Sequence, residues 1–282
     1  MRSLDERIRH ARTGGPEDLW RLVKDPHPEV LMSVLFNPDF TEDMAVFIAK
    51  SRDVPAEAIT MLAADRRFSG SYKLKVLICR NPRTPQRVVF SLLKFIRIFD
   101  LSDIAKDLHV QINIRQKIEA MITERIRSMP AGVQKALARR ANAAILMAIM
   151  ECSDESVIKV CLDSPLLTEG HVCGIINRPA VTSSVIRLIS ADRRWPLRYY
   201  VRYALIRNMH TPLVHVVKFI AGMKTVDLRD LHADPKLPLA TRPFIYRELQ
   251  KRAETVGLDT DEVYHLPEDD EDFLPAGQGD DV

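Results

Sequence analysis

The chain repeats itself. Ala64-Asp65-Arg66-Arg67-Phe68 returns 127 positions later as Ala191-Asp192-Arg193-Arg194-Trp195. The same offset carries Pro38-x-x-Thr41-Glu42 onto Pro165-x-x-Thr168-Glu169, and Arg80-Asn81-x-x-Thr84-Pro85 onto Arg207-Asn208-x-x-Thr211-Pro212. It also carries Asp100-Leu101-x-Asp103 onto Asp227-Leu228-x-Asp230, with Asp107 on Asp234 and Arg115 on Arg242. Laid over each other without a gap, residues 4–130 and 131–257 share 28 identities in 127 pairs, several times what random pairing of this composition gives. A tandem duplication is the simplest cause, and it implies two homologous blocks of one architecture. The expected division is a first half, residues 1–130, a second half, residues 131–257, continuing the same superhelix, and an unmatched tail, residues 258–282.

Within each half the apolar residues recur at spacings of three and four: Leu19, Leu22 and Val23; Val30, Leu31, Val34 and Leu35; Leu74, Leu77 and Ile78; Val88, Val89, Leu92 and Leu93. This spacing puts one stripe of a helix inward. Alternating runs bounded by hairpin turns are absent, so the predicted fold class is all-α with no sheet. The punctuation repeats as well. In Asn81-Pro82-Arg83-Thr84-Pro85, Asn81 is expected to end one helix in the left-handed conformation. Thr84 is expected to cap the amides of the next, and Pro85 to take its first position; Asn208-Met209-His210-Thr211-Pro212 reads the same way. Thr41 and Thr168, each followed by Glu, read as looser versions with the acid in the first turn. Asn37 and Asn81 lie 44 residues apart, so each half holds a sub-repeat of short helices. Helices of about ten residues are not stable alone and must bury their stripes on neighbours. The expected architecture is an α-solenoid of short antiparallel helix pairs.

The strings from Tyr200 to Pro212 (Tyr-Val-Arg-Tyr-Ala-Leu-Ile-Arg-Asn-Met-His-Thr-Pro) and from Leu74 to Pro85 resemble the core of HEAT-like and leucine-rich-variant helical repeats. Those repeats are marked by a Val-Arg step, a small residue and then Asn-Pro-x-Thr-Pro. The resemblance covers the clearest segment of each half. It implies a curved stack of helix pairs with a concave, partner-binding surface. Leucine-rich-variant relatives can carry an N-terminal cysteine cluster for an iron–sulfur centre. This chain has no Cys before Cys79, so no such cofactor is implied.

Composition supports a packed protein, with 46% apolar residues. No run of about 18 apolar residues predicts a membrane span, and the charged start, Met-Arg-Ser-Leu-Asp-Glu-Arg, has no secretory h-region. Cys79, Cys152, Cys161 and Cys173 form no C-x-x-C pair and read as reduced, buried thiols of a cytoplasmic protein. The net charge of +3 hides an asymmetry. Residues 258–282 carry ten acids and no Lys or Arg, leaving a body with 41 basic against 28 acidic groups, and 28 of those bases are Arg. An anionic partner fits this excess, while intramolecular pairing of Arg explains it equally.

The sequence carries no nucleotide-binding, zincin or nucleophile-elbow motif. His171 and Cys173 stand two apart on a helix and point away from each other. His210 and His215 read as solvent-facing. Asp65 and Asp192, beside paired arginines, read as a general base or, equally, as ion pairs that end a helix. The chain is therefore expected to be non-enzymatic, with no cofactor and no metal site. The sharpest local signal is basic and aromatic: Arg193, Arg194, Trp195, Arg198, Tyr199, Arg202, Tyr203 and Arg207, with Tyr200 among them. On a helix beginning near Leu197, the residues Leu197, Val201, Ala204 and Leu205 are the expected buried stripe, with Arg198 and Arg202 on another face. Such a face suits phosphates and stacked bases; alternatively, the tyrosines pack between repeats and the arginines stack on them or pair with Asp192 and Asp227. Features confined to one half are better candidates for function than features shared by both. The tail, with Phe273-Leu274 after its acidic run, is predicted to be disordered. Its expected role is to fold back on the basic face or to dock as a short linear motif. The favoured function is a scaffold that binds a protein partner in its concave groove; the alternative is a basic, HEAT-like nucleic-acid binder with an autoinhibitory acidic tail.

Overall fold

A computed structural model describes residues 3–152 and 154–256; the acidic tail lies outside the described residues. All regular structure among them is helical, and none of it is strand. The helices are α1 (Leu4–Thr13), α2 (Pro16–Leu22), α3 (Pro28–Leu35), α4 (Glu42–Lys50), α5 (Ala56–Ala64), α6 (Tyr72–Arg80), α7 (Gln86–Leu93), α8 (Ile98–Lys106) and α9 (Ile112–Ile126). They continue as α10 (Ala131–Ala138), α11 (Ala143–Cys152), α12 (Glu155–Leu162), α13 (Glu169–Ile176), α14 (Ser183–Ala191), α15 (Tyr199–Arg207), α16 (Leu213–Ala221), α17 (Thr225–Ala233) and α18 (Arg242–Val256). Short 3₁₀ turns, Arg66–Phe68 and Trp195–Leu197, precede α6 and α15. No helix of the described residues is long and apolar enough to cross a membrane.

Contacts gather into two compact units that divide between Ile189 and Ser190. In the first unit α1 packs on α2 and α3, α3 on α5, α4 on α5 and α6, and α6 on α7 and α8. Beyond these, α8 packs on α9, α9 on α11, and α10 on α11 and α12. In the second unit α15 packs on α16, while α16 and α17 pack on α18. Each of these helices finds its neighbours one or two places along the chain. The apolar stripes read from the sequence are buried, Val30, Leu31, Val34 and Leu35 among them, while Leu77 and Val88 are only half-buried.

Helix bounds keep the 127-residue offset. After the shift α3 falls on α12, α5 on α14, α6 on α15 and α8 on α17, residue for residue. The 3₁₀ turn departs, starting two residues late in the second case. There Pro196 stands where the first has Ser69, and its ring fixes φ at the start of that turn.

Short helices leave many backbone groups without an internal partner, and long-range side chains take up the carbonyls. The Asn37 amide donates to Ala11 O and Gly14 O, both at 3.0 Å, closing the end of α1. Gly14 lacks a Cβ that would stand 2.5 Å from His10 O. The Asn81 amide donates in the same way to Ala49 O at 2.9 Å and Ser51 O at 2.7 Å, closing α4. Arg67 closes α3 through Leu35 O and Asn37 O, Gln134 closes α9 through Ile126 O, and Arg252 closes α16 through Ala221 O, its last residue, and Met223 O beyond it. Met44 N and His171 N donate to the N-cap hydroxyls of Thr41 and Thr168, as their sequence predicts.

Three local expectations are corrected. Asn81 and Asn208 are extended (φ −73°, ψ 124° and φ −92°, ψ 125°), not left-handed, because Asn81 uses its side chain rather than its backbone twist to end a helix. Thr84 and Thr211 do not cap the following helices. Their hydroxyls donate backwards, to Ile78 O and Leu205 O, both at 2.6 Å, so they close the helix already made. Pro85, expected at the first position of the next helix, is instead the N-cap residue of α7, which starts at Gln86.

Asn81→Ala strips the donors from two carbonyls that water reaches poorly and removes the acceptor for Arg83 N. The expected loss is about 1–3 kcal/mol, read from urea unfolding of the full chain; a loss below about 0.5 kcal/mol would show that the amide is not needed.

Candidate functional site

The basic–aromatic segment begins at Asp192, whose Oδ1 accepts from Arg194 N at 2.7 Å and Trp195 N at 3.1 Å. This brings Trp195 into the core, 1% exposed, with the Arg194 guanidinium 4.3 Å from its ring centroid. Leu197 was expected in the buried stripe; it is instead 75% exposed, because the chain is still in the 3₁₀ turn there and α15 starts at Tyr199. Val201, Ala204 and Leu205 are buried as expected, joined by Ile206. Arg193 and Arg198 are exposed, Arg198 as the N-cap residue of α15.

The other arginines are folded inward. Arg202 stacks 5.6 Å from the Tyr199 ring centroid and donates to Pro196 O at 3.3 Å. Arg207 lies 5.9 Å from the Tyr203 ring and pairs with Asp234 at 2.6 Å. Asp234 is held below the usual carboxylate range by Lys236 N–H and by Arg207. Tyr199 donates its hydroxyl to the Asp227 carboxylate and accepts from Lys224 N at 3.0 Å. In the first unit Tyr72 donates to Asp100 and accepts from Arg97 N at 3.0 Å, the same arrangement 127 residues earlier. The Tyr–Asp spacing of 28 residues stands in both halves of the sequence, where the basic and aromatic neighbours single out only the second tyrosine.

Tyr200 and Tyr203 have no aromatic counterparts, their positions being Lys73 and Val76 in the first half. With Tyr199, Lys224, Val226 and Asp227 they line an open recess of about 640 Å³. Tyr200 meets Tyr199 edge to face at 5.8 Å between centroids yet remains 69% exposed, and Val226 is 65% exposed. Val226 and Lys224 were missed by the sequence reading, since nothing in their own neighbourhood marks them; the Tyr199–Asp227 contact brings α17 to α15. Compared with family models, curated proteins and solved structures, the chain matches none of them.

Elsewhere, Asp65 binds Arg67 at 2.7 Å and is held below the ordinary range by that hydrogen bond. Asp65 and Asp192 thus hold turns, the role that ends a helix. His171 Nδ1 accepts from Thr168 N at 3.2 Å in a capping box, and Cys173 is half-buried with its thiol pushed up by burial and by Glu169. His215 stacks on Phe219 at 6.1 Å and is half-buried, as is His210. Burial raises the Cys79 and Cys161 thiols to about 12, so neither is a nucleophile near neutral pH. Among the described residues no three His, Cys, Asp or Glu are grouped to hold a metal ion.

Partial burial, then donation to Asp100 or Asp227, raises the pKa of Tyr72 and Tyr199 above the ordinary phenol value of 10.0. A raised folded-state pKa means the neutral phenol contributes stability in full below the unfolded value, and this contribution fades as pH rises through the folded value. Spectrophotometric titration is expected to show two tyrosines ionising late. Tyr199→Phe removes one of them, and Asp227→Asn brings Tyr199 back toward normal. Early, uniform ionisation of every tyrosine would contradict the contact.

Proposed function

We propose that this chain is a non-enzymatic helical-repeat scaffold, an α-solenoid of the HEAT-like kind with two duplicated halves, that binds a protein partner through the recess of α15 and α17. The coincident helix bounds and the paired Tyr72–Asp100 and Tyr199–Asp227 contacts support the duplication. Neighbour-to-neighbour packing supports the solenoid, alongside the repeat-like strings at Leu74–Pro85 and Tyr200–Pro212.

The observation that carries the binding reading is the pairing of exposed Tyr200 and Val226 with committed cations. Apolar surface left open beside a recess favours contact with another protein. Nucleic-acid binding needs a set of cations free to neutralise phosphates; in this segment Arg202 and Arg207 are engaged with Tyr199, Pro196 O and Asp234, which leaves the exposed Arg193 and Arg198 outside the recess lining. The occupant is a protein segment that offers an aliphatic or aromatic side chain to Tyr200 and Tyr203 and a carboxylate to Lys224 or Arg198.

Affinity capture with the full chain, before and after nuclease treatment, tests this. The expected result is a protein retained after nuclease and lost when Tyr200→Ala and Val226→Asp are combined. Tyr200→Ala alone is expected to weaken the complex about 30-fold, the scale of an interfacial tyrosine worth ~2 kcal/mol. Retention only of nucleic acid, with affinity falling steeply with salt and abolished by Arg198→Glu with Arg202→Glu, would instead establish the nucleic-acid reading.

A further inference from the structure

The first unit holds a cluster of cations that the fold does not use. Lys50 ends α4, Arg52 follows it, and Arg80 ends α6. These three line a pocket of about 150 Å³ together with Asn81, Asp107 and His109. Among the described residues, none of the three has a side-chain partner in an ion pair, a hydrogen bond or a ring contact. The Nε of Arg80 is buried with no hydrogen-bond partner.

One anion faces them. Asp107 accepts His109 N at 3.0 Å through Oδ1, and its charge leaves an excess of two positive charges among Lys50, Arg52 and Arg80. The second unit resolves the same position differently. There Arg207 and Asp234, the residues 127 places on from Arg80 and Asp107, close on each other at 2.6 Å. Asn177 and Pro179 stand where the first half has Lys50 and Arg52. The open, doubly charged version thus belongs to one half alone.

The floor of the pocket is fixed. Asn81 is buried and spends its amide on Ala49 O and Ser51 O, the carbonyls on either side of Lys50, and its Oδ1 on Arg83 N. The C-terminal ends of α4 and α6 are held together by that side chain, so the cations are presented by a rigid frame rather than by a loose surface. Lys and Arg at helix C-termini are favoured by the helix dipole alone. That preference accounts for each residue singly, but it does not account for their meeting at a shared cavity.

We infer that this pocket binds a phosphoryl dianion, held by Lys50, Arg52 and Arg80. The pocket opens to solvent, and its volume of about 150 Å³ admits a tetrahedral oxyanion. A phosphate monoester carries about −1.5 to −2 charge at neutral pH, which matches the local excess, and guanidinium groups suit its oxygens in two-point geometry. Two sources share this chemistry, free inorganic phosphate and a phosphorylated side chain. The site is independent of the recess of the second unit.

Calorimetric titration of the full chain at constant ionic strength, with inorganic phosphate in one arm and N-acetyl-O-phosphoserine amide in the other, tests the assignment. Saturable one-site binding is expected, unchanged by Tyr200→Ala and weakened at least tenfold when Lys50→Gln and Arg52→Gln are combined. Both of these side chains are exposed, and the variant's unfolding midpoint checks that the fold is kept. Tighter binding of the phosphoserine amide identifies a phosphorylated side chain as the ligand; equal binding identifies free phosphate. No saturable binding in either arm, or binding that survives the double substitution, overturns the inference.

Discussion

A helix of nine residues leaves about four N–H groups and about four C=O groups at its ends without an internal partner. The eighteen α-helices of the described residues, most of them seven to ten residues long, multiply that demand along the chain. Apolar burial alone cannot meet it, because a buried carbonyl without a donor costs more than a methyl group returns. The chain meets it with side chains from later in the sequence that reach back to helix ends: Asn37 to α1, Arg67 to α3, Asn81 to α4, Gln134 to α9 and Arg252 to α16. Each such bond ties one helix to another, so capping and tertiary packing are the same interaction. That linkage explains why a run of individually unstable helices forms a packed body.

The consequences reach the candidate sites. Asn81 fixes the ends of α4 and α6, and the Lys50, Arg52 and Arg80 cluster sits on that join. Tyr199 fixes α15 to the start of α17 through Asp227 and Lys224 N, and the aromatic recess forms on it. In both cases a position shared by the two halves provides the frame. The residues that differ between halves, Lys50 and Arg52 in the first and Tyr200 and Tyr203 in the second, supply what is exposed. On the proposed duplication this is the pattern expected when fold is inherited and surfaces diverge.

Helical periodicity made the all-α class legible, since the buried stripes at Val30–Leu35 and Val201–Leu205 need only local spacing to be read. The repeated Asn-x-x-Thr-Pro punctuation was legible as a stop signal but not as a mechanism. Sequence shows that Asn81 ends a helix, yet its partners are carbonyls some thirty residues earlier, and Thr84 donates back to Ile78 O, whereas local rules point to the left-handed twist and the forward cap instead. Leu197 was misread because it lies in the 3₁₀ turn opened by Trp195 and Pro196, before α15 starts at Tyr199, so the helical spacing that places Val201, Ala204 and Leu205 inward does not yet apply to it. The basic–aromatic segment was found, and stacking of its arginines on its tyrosines was one of the two readings offered; the acid that Arg207 meets was not named, since its pairing with Asp234 depends on a contact across 27 positions. Exposure of Val226 and the open state of Arg80 have no local signature at all.

The central claim is that side-chain amides closing helix ends are what couple the short helices to one another. Native-state hydrogen exchange of Asn81→Ala against the parent chain tests it most directly. The account predicts that amides of α4 and α6 lose protection together, by about tenfold or more, while those of α10 to α12 keep theirs. A change confined to residues 81–84, with α4 and α6 protected as before, would contradict it.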